Sequence, residues 1–352
     1  MRRLVEGSEA LAEAAIAAGC RFFAGYPMTP FTELLESFAA KLPAAGGACI
    51  NAESELEAIG MAWGAAATGA RAATGSTGQG LALMQESLPE LVRAELPLVV
   101  FNLARGQGDY FQATRGGGHG DYRLIVLAPI DVAEAVALTQ EAFHLADRWR
   151  NPVLVLGDYL LAHTAEAVEV RALDFGPLPA KSWAADGSGG GRGRPRHVSS
   201  LGTTPGAKGI DPERAWRALQ AKHEHIAAEE ARCEAEGVAD AELLVVAFGS
   251  LARFARHAAR ELRAEGARVG FFRPITLWPF PSQALATAAA GVRRVAVLEQ
   301  NAGQMIDDVR LALLGSVPVV GIGGNSTDPS GFGIGSLLDP DTVRGRIGGA
   351  LR

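Results

Sequence analysis

The stretch from Ala48 to Gly80 reads ACINAESELEAIGMAWGAAATGARAATGSTGQG, and it decides the fold. It begins with the short apolar run Ala48–Ile50, which is typical of a buried strand, and Glu53–Glu55 then leads into a helix rich in Ala and Gly. A second short strand over 72–75 ends at Ser76 and is followed by another helix. Open α/β sheets bind ligands at the carboxyl edge of their strands. The stretch therefore predicts an α/β fold with polar groups at that edge.

Glu55 is the carboxylate at this edge, and the local sequence allows two interpretations of it. The first is a helix-cap acid, because Ser54 is a good capping residue and an acid in the first turn interacts favourably with the helix dipole. The second is a functional carboxylate. Glu53, Glu55 and Glu57 cannot all be buried, since a buried carboxylate needs a partner.

The alternation of strands and helices continues on both sides of this stretch. Leu98–Leu103 is a nearly continuous apolar run, as expected for a parallel strand that is covered on both faces. A single helix is predicted over 80–94, a glycine-rich loop over 106–123 and a helix over 213–236. The sequence is accordingly divided into a doubly wound α/β domain over 1–175, a Gly/Pro/Ser-rich linker with a connecting helix over 176–240, and a smaller α/β domain over 241–352.

Composition and charge exclude several classes of protein. The 352 residues carry a formal net charge of −6, so a general attraction to nucleic acid is not expected, and the three arginines of the linker do not change this. No apolar run reaches the roughly 18 residues of a membrane span. The N-terminus is interpreted as part of the mature protein, with an amphipathic helix over 8–19, and not as a signal peptide. Cys20, Cys49 and Cys233 form no CxxC pair. They are predicted to be buried thiols in a reducing cytoplasm, and this chain alone cannot bind a four-cysteine iron–sulfur cluster.

Common catalytic signatures are absent from the sequence. It has no P-loop, no Rossmann glycine motif between a strand and a helix, no HExxH, no GxSxG and no spaced His/Cys set, so no metal site is predicted. Gly157–Tyr159 begins like a Mg²⁺-diphosphate signature, but no Asn-Asn follows it. His119 is interpreted as a solvated loop histidine rather than a ligand. What remains is a strand-edge carboxylate, a threonine turn, Arg105 and glycine-rich loops, which together amount to half of an active site.

Seven blocks, in the right order, resemble the alpha subunit of 2-oxoacid:ferredoxin oxidoreductases, and most of all the branched-chain (3-methyl-2-oxobutanoate) type. Each block alone is weak, but the ordered set is specific. The blocks are GYPMTPFTEL (25–34), AESELEAIG (52–60), TGQGLALMQE (77–86), ELPLVVFNLARG (95–106), GDYFQATRGGGHGDYRLIVLAP (108–129), RPITLWPFP (273–281) and NAGQMIDDVRLA (301–312).

The resemblance implies a thiamine-diphosphate enzyme that is split over several chains and oxidatively decarboxylates a 2-oxoacid to an acyl-CoA. This chain would contribute a pyrimidine-binding domain followed by a transketolase-C-terminal-like domain. A beta subunit would hold the diphosphate, Mg²⁺ and an iron–sulfur cluster. Gamma and delta subunits are further partners that the resemblance allows, with coenzyme A as co-substrate and ferredoxin as electron acceptor. The complex would be cytoplasmic, with neither nucleic acid nor membrane as a partner.

The resemblance also implies roles for individual residues. Glu55 would bind the aminopyrimidine ring nitrogen of thiamine, where a carboxylate promotes loss of the thiazolium proton. Arg105 would hold the substrate carboxylate, although a structural ion pair at a subunit contact is the alternative. Further contacts are implied to the cofactor from Tyr26, Pro27, Gly78 and Gln79, and to the substrate from Met28 and Thr29.

The sequence departs from the family in the loop after Arg105. Relatives carry a longer glycine- and proline-rich segment there, whereas this chain runs directly from Arg105 to Asp109. We expect a roomier, less polar pocket bounded by Tyr26, Met28 and this loop, which favours branched-chain or aromatic 2-oxoacids. Tyr110, Phe111 and His119 are candidate walls, and Arg115 is the cation that a dicarboxylate substrate would need. Two other functions stay open, an inactive scaffold or regulatory paralogue and a split-chain, non-oxidative thiamine-dependent decarboxylase.

Overall fold

The structure, a computed structural model, describes residues 2–187, 211–323 and 339–352, so the arginines of the linker and most of the glycine-rich C-terminal tail lie outside it. Its strands are β1 (Arg3–Glu6), β2 (Phe22–Gly25), β3 (Ala48–Asn51), β4 (Ala72–Ser76), β5 (Val99–Ala104), β6 (Ile125–Leu127), β7 (Val153–Asp158), β8 (Ala165–Val168), β9 (Cys233–Glu236), β10 (Leu243–Ala247), β11 (Val269–Pro274), β12 (Thr276–Trp278), β13 (Arg294–Leu298) and β14 (Val319–Gly321). Its helices are α1 (Gly7–Ala17), α2 (Thr32–Lys41), α3 (Glu55–Ala67), α4 (Gly78–Met84), α5 (Ser87–Arg93), α6 (Tyr110–Thr114), α7 (Val132–Trp149), α8 (Tyr159–His163), α9 (Pro212–Glu230), α10 (Gly249–Ala264), α11 (Ser282–Ala288), α12 (Met305–Leu313) and α13 (Pro340–Ala350).

The larger sheet has seven strands in the order β12-β6-β7-β5-β4-β2-β3. Every pairing in it is parallel except that of β12 with β6. Strand β5 shows why the sheet is apolar on both faces. Val99, Phe101 and Leu103 pack into the cluster that contains α1, α2 and α7, whereas Val100 and Ala104 pack into the cluster that contains α3, α4 and α5. The predicted doubly wound fold is therefore confirmed.

The smaller sheet has five strands in the order β14-β13-β10-β11-β9, and only β9 is antiparallel. Here the prediction of one helix over 213–236 is wrong, because the helix ends at Glu230 and Cys233–Glu236 forms the edge strand β9. The charges that suggested a solvated helix face are ion-pair partners. Glu234 binds Arg273, and Glu236 accepts two hydrogen bonds of 2.8 Å from Arg260.

Local signals explain three further differences. The helix predicted over 8–19 is found at Gly7–Ala17, but the strand Arg3–Glu6, which pairs antiparallel with β8, was not predicted. The helix predicted over 80–94 is two helices, since Pro89 is tolerated in a first helical turn but not in a helix interior. In the C-terminal part, α13 was not predicted; Asp339 caps it by accepting from the Thr342 backbone N–H at 2.8 Å.

No helix in the described ranges combines the length and the apolar surface that crossing a membrane requires.

The two sheets are joined by an ion-pair network around Arg273 on β11. Arg273 is 3% exposed and donates to both carboxylate oxygens of Glu134, at 2.7 and 2.8 Å, and to Glu234 at 3.0 Å. Burial alone would lower the pKa of Arg273, but the hydrogen bonds and charge of Glu134 and Glu234 raise it overall. Because Glu134 begins α7 under the larger sheet, this guanidinium ties the smaller sheet to the larger one.

We expect Arg273→Met to destabilise the chain by about 3 kcal/mol, because removing one partner of a buried ion pair leaves the other charges uncompensated. Urea denaturation of the purified chain would measure the change in the free energy of unfolding. Arg217→Met is the matched control. It removes an ion pair with Glu213 in which both side chains are 70% exposed, so it should cost about 0.5 kcal/mol or less. Equal effects of the two substitutions would contradict the role given to Arg273.

Candidate active site

All of the predicted site residues lie at one edge of the larger sheet. Strands β5, β4, β2 and β3 are consecutive neighbours and parallel, so their carboxyl ends meet at the same edge. Arg105 follows β5, Gly78–Gln79 follows β4, Tyr26–Thr29 follows β2 and Glu55 follows β3. In the turn after β2, Pro27 and Thr29 are exposed, whereas Tyr26 and Met28 are half-buried.

Glu55 is the first residue of α3, and it is only 2% exposed. The Ser76 hydroxyl at the end of β4 donates to its Oε1 at 2.7 Å. In the part of the chain that the structure describes, this is the only hydrogen bond of the Glu55 carboxylate. The capping interpretation explains none of this, because Ser54 makes no cap hydrogen bond and its hydroxyl instead contacts Glu57. A buried carboxylate with one hydrogen bond is costly and calls for a further partner.

Two glycines at the start of α4 allow this crowding. A Cβ atom at Gly80 would lie 2.0 Å from Ser76 Oγ and 2.2 Å from Glu55 Oε1, so no other residue fits there. A Cβ atom at Gly78 would lie 2.5 Å from Oδ1 of Asp109. The start of α4 therefore approaches two carboxyl groups closely. Gln79, a predicted cofactor contact between the two glycines, has an exposed side chain.

Asp109 and Asn102 are site residues that the sequence analysis missed. The fully buried amide of Asn102 on β5 donates to Asp109 Oδ2 at 2.8 Å. Burial raises the pKa of the Asp109 carboxyl, opposed by the Asn102 hydrogen bond and the charge of Arg105. Asn102 could have been noticed as the polar residue inside an apolar strand. Asp109 gave no such signal, because its position depends on how the loop folds back.

Among the described residues, the buried polar atoms without a hydrogen-bond partner include Thr77 Oγ1 after β4 and Asn102 Oδ1 on β5. Buried polar groups are normally hydrogen-bonded, so such atoms need an explanation. Together with the carboxylates of Glu55 and Asp109, they present hydroxyl, amide and carboxyl groups at the glycine-lined start of α4. These four groups suit a planar, nitrogen-containing ring. None of them is cationic, so they do not suit a diphosphate.

Arg105 and Thr29, the two polar residues that the resemblance assigns to the substrate, contact each other. The half-buried Arg105 side chain donates from Nε to the Thr29 backbone oxygen at 3.1 Å. Arg105 also lines a cleft of about 20 Å³ that includes Asp158 and Ser250. Such a volume holds about one water molecule. The guanidinium is therefore fixed between the turn after β2 and the start of α10.

The expected pocket walls from the glycine-rich loop are placed differently. Tyr110 is fully buried, and its hydroxyl donates to Asp308 Oδ2 at 2.7 Å. His119 is a half-exposed loop histidine, as predicted, and its Nε2 lies 3.0 Å from Glu90 Oε1. The prediction that Tyr110 forms a wall of the substrate pocket is wrong. The loop contains the short helix Tyr110–Thr114, and this helix directs the Tyr110 side chain toward α12. Within the described ranges, no group of three or more His, Cys, Asp or Glu side chains is arranged to hold a metal ion.

Two family models match the chain. Residues 13–187 match the model described as pyruvate flavodoxin/ferredoxin oxidoreductase, thiamine diphosphate-binding. Residues 241–332 match the model described as pyruvate:ferredoxin oxidoreductase core domain II.

Curated relatives cover nearly the whole chain. The ketoisovalerate oxidoreductase subunit VorB of Methanothermobacter thermautotrophicus is 41% identical over 320 residues, which are 88% of this chain and 89% of that protein. The 2-oxoglutarate synthase subunit KorA of the same organism is 34% identical over 348 residues, 90% of this chain and 92% of that protein.

Solved structures agree with these relatives. The 2-oxoglutarate:ferredoxin oxidoreductase of Magnetococcus marinus, solved with 2-oxoglutarate, coenzyme A and succinyl-CoA, superimposes with a TM-score of 0.86 at 28% identity. The match covers 100% of this chain and 65% of the solved chain. A split-gene transketolase with a TM-score of 0.58 and 16% identity shares the fold alone. This chain therefore belongs to the pyruvate flavodoxin/ferredoxin oxidoreductase family, as an alpha-type subunit of the 2-oxoacid:ferredoxin oxidoreductases.

Proposed function

We propose that this chain supplies the aminopyrimidine side of a thiamine-diphosphate site in an enzyme that oxidatively decarboxylates a branched-chain 2-oxoacid to an acyl-CoA. The buried carboxylate of Glu55, with its single hydrogen bond from Ser76, is the observation that carries the proposal. Thiamine diphosphate supplies a carbon nucleophile for the ketone of the substrate. The residues of this chain bind the ring, orient it and hold a proton at one of its nitrogens.

Glu55 is the residue that holds this proton. The Ser76 hydroxyl fixes Oε1, so the carboxylate keeps one orientation and directs its remaining hydrogen-bonding capacity to the ring nitrogen. Burial strengthens this interaction, because the carboxylate is shielded from water. The buried Thr77 hydroxyl and Asn102 amide oxygen, which have no hydrogen-bond partner among the described residues, support a polar ligand at this edge.

Arg105 and Thr29 form the substrate side of the proposed site. A guanidinium binds a carboxylate through two parallel hydrogen bonds, and the bond to the Thr29 backbone orients this group. The half-buried Tyr26 and Met28 lie in the same turn and offer apolar surface to the substrate side chain.

A branched-chain substrate is favoured by two observations. The compared ketoisovalerate subunit is 41% identical, whereas the 2-oxoglutarate subunit of the same organism is 34% identical. In addition, Arg115, the cation that a second substrate carboxylate would need, binds Asp308 at 3.1 Å and lies 4.7 Å from the centroid of the Phe111 ring. This places its charge on α12.

The remaining cofactors belong to partner chains in this proposal. We propose that a beta subunit holds the diphosphate, Mg²⁺ and the iron–sulfur cluster, with gamma and delta subunits and ferredoxin as further partners, in the cytoplasm. Burial raises the thiol pKa of Cys20 to about 12 and that of Cys49 to about 11, so both stay protonated, unlike cluster ligands. Cys20 is buried as predicted, whereas Cys49 and Cys233 are half-buried.

The outer face of α3 is the surface on which we propose that the partner docks. Leu56 is 46% exposed and Met61 39% exposed, although both are large and apolar. Gly60 and Gly64 follow Leu56 at intervals of four residues, and a Cβ atom at either glycine would meet open space. This smooth apolar face begins one residue from Glu55, so a chain docked here would complete the site.

In the assembled complex, we expect Glu55→Gln to slow turnover by about 10²-fold or more, the usual scale for a positioned acid–base group. Glutamine keeps the size and the acceptor oxygen for Ser76, so the thermal unfolding temperature should stay within a few degrees of wild type. Steady-state kinetics of the complex would measure the effect. Glu36→Gln, an exposed acid on α2, should leave turnover unchanged. Near-normal turnover of Glu55→Gln would return Glu55 to a structural role.

We expect the complex to prefer 2-oxoisovalerate over 2-oxoglutarate, because Arg115, the cation assigned to a second substrate carboxylate, is bound to Asp308. Initial rates with 2-oxoisovalerate, phenylpyruvate, pyruvate and 2-oxoglutarate would give kcat/KM for each substrate. A value for 2-oxoglutarate above the others would show that the assignment of the substrate side is wrong.

We expect Gly60→Arg to prevent the chain from assembling with its partner, because the new side chain would project from the docking face. The isolated variant should fold at least as stably as wild type, since Arg is a better helix former than Gly. Co-purification with a tagged partner chain would measure assembly. Gly345→Arg is the matched control, an open helical glycine on α13. Wild-type stoichiometry with Gly60→Arg would place the partner elsewhere.

A further inference from the structure

We infer that Gln107 is a positioning residue through which the part of the chain that carries the smaller sheet holds Arg105 and Asp109 in the active site. This inference rests on the proposed function, because it concerns the same substrate-binding arginine. In this inference Gln107 touches neither the ring nor the substrate. It acts through Arg105 and Asp109, its neighbours on the loop.

Gln107 is 3% exposed and is bound to the smaller-sheet region by four hydrogen bonds. Its Nε2 donates to the Phe248 backbone oxygen at 2.9 Å, and its Oε1 accepts from the Gln300 N–H at 2.9 Å. Its own N–H donates to the Gln300 oxygen at 3.3 Å, and its carbonyl accepts from Asn301 Nδ2 at 2.8 Å. Both the side chain and the backbone of this residue are therefore fixed.

The residues two positions before and after Gln107 carry the two charged groups. Arg105 contacts the Thr29 turn, and the Asp109 carboxyl lies between Asn102 and Gly78 at the start of α4. The backbone from Arg105 to Asp109 consists of bends and a turn, so no regular secondary structure holds it. Fixing Gln107 in the middle of this short segment therefore limits the positions of both charged groups.

The loop has no other side chain in its centre that could do this. Gln107 is flanked by Gly106 and Gly108, and glycine gives a backbone its greatest conformational freedom. Ordering two glycines is entropically costly, so the loop needs fixed contacts at the residue between them. Because the chain runs directly from Arg105 to Asp109, a displacement of Gln107 passes to both neighbours.

The segment 299–305, which binds the loop, is itself fixed by hydrogen bonds. Gln304 donates to the Gly108 oxygen at 2.8 Å and accepts from the Phe111 N–H at 2.8 Å, which fixes the next part of the loop. Glu299, 3% exposed, accepts from the N–H groups of Gln304 and Met305 at 3.0 and 2.8 Å. The start of α12 is thus a rigid support for the loop.

The test is Gln107→Met in the assembled complex, since methionine keeps the volume and loses the two side-chain hydrogen bonds. We expect KM for the 2-oxoacid to rise about tenfold, the scale of one or two lost buried hydrogen bonds, while kcat changes less than about threefold. Arg260→Met is the matched control. It removes an exposed ion pair between α10 and Glu236 on β9 and should leave KM unchanged.

A double-mutant cycle separates positioning from general destabilisation. Arg105→Met alone should raise KM about ten- to hundredfold, as expected for a lost charge-assisted contact. In that background, Gln107→Met should add less than about twofold, because there is no guanidinium left to position. A full tenfold increase in both backgrounds would overturn the inference. If Gln107→Met does not assemble, Gln304→Met makes the same test.

Hydrogen–deuterium exchange of the complex gives a readout that does not need activity. Gln107→Met should speed exchange in the peptide that contains residues 105–111 and leave the strands of the larger sheet unchanged. Unchanged exchange together with an unchanged KM would overturn the inference. A wild-type complex that lacks all 2-oxoacid activity would instead overturn the proposed function, and exchange would still report whether Gln107 fixes the loop.

Discussion

Burying the Glu55 carboxylate against a single hydroxyl is the constraint on which the architecture of the site depends. The charge is removed from water at the point where β3, β4 and α4 meet, and Ser76 provides its one hydrogen bond. The approach is close enough that Gly80 cannot carry a side chain. Such an arrangement costs stability in the isolated chain. In the proposed function, a ring nitrogen completes it in the assembled enzyme, and this proposal argues against an inactive scaffold.

A second constraint is that the substrate side depends on both sheets. Arg105 leaves the larger sheet, but its loop is fixed by Gln107 and Gln304 against residues of the smaller-sheet region. The two sheets are held together by the Arg273 network and by β12, which follows β11 and pairs with β6. The second part of the chain therefore acts as a template for the active-site loop, although it contributes none of the groups assigned to the ring.

The sequence predicted the features that depend on local pattern and strand order. Apolar runs such as Leu98–Leu103 located the parallel sheet, and strand ends placed Glu55 and Arg105 at one edge. Features that depend on distant contacts were missed. The strand Cys233–Glu236 looked like a charged helix, because its arginine partners are remote in sequence. Asp109 and Gln107 looked like ordinary loop residues until the loop was seen between α4 and α12.

The most direct test of the central claim is an electron cryo-microscopy structure of the assembled complex with thiamine diphosphate bound. The quantity to measure is the distance from the Glu55 carboxylate to the nearest ring nitrogen of the aminopyrimidine. The account predicts a charge-assisted hydrogen bond of about 2.6–2.9 Å. A ring bound elsewhere, or one more than about 4 Å from Glu55, would contradict the claim that this chain supplies the aminopyrimidine side of the site.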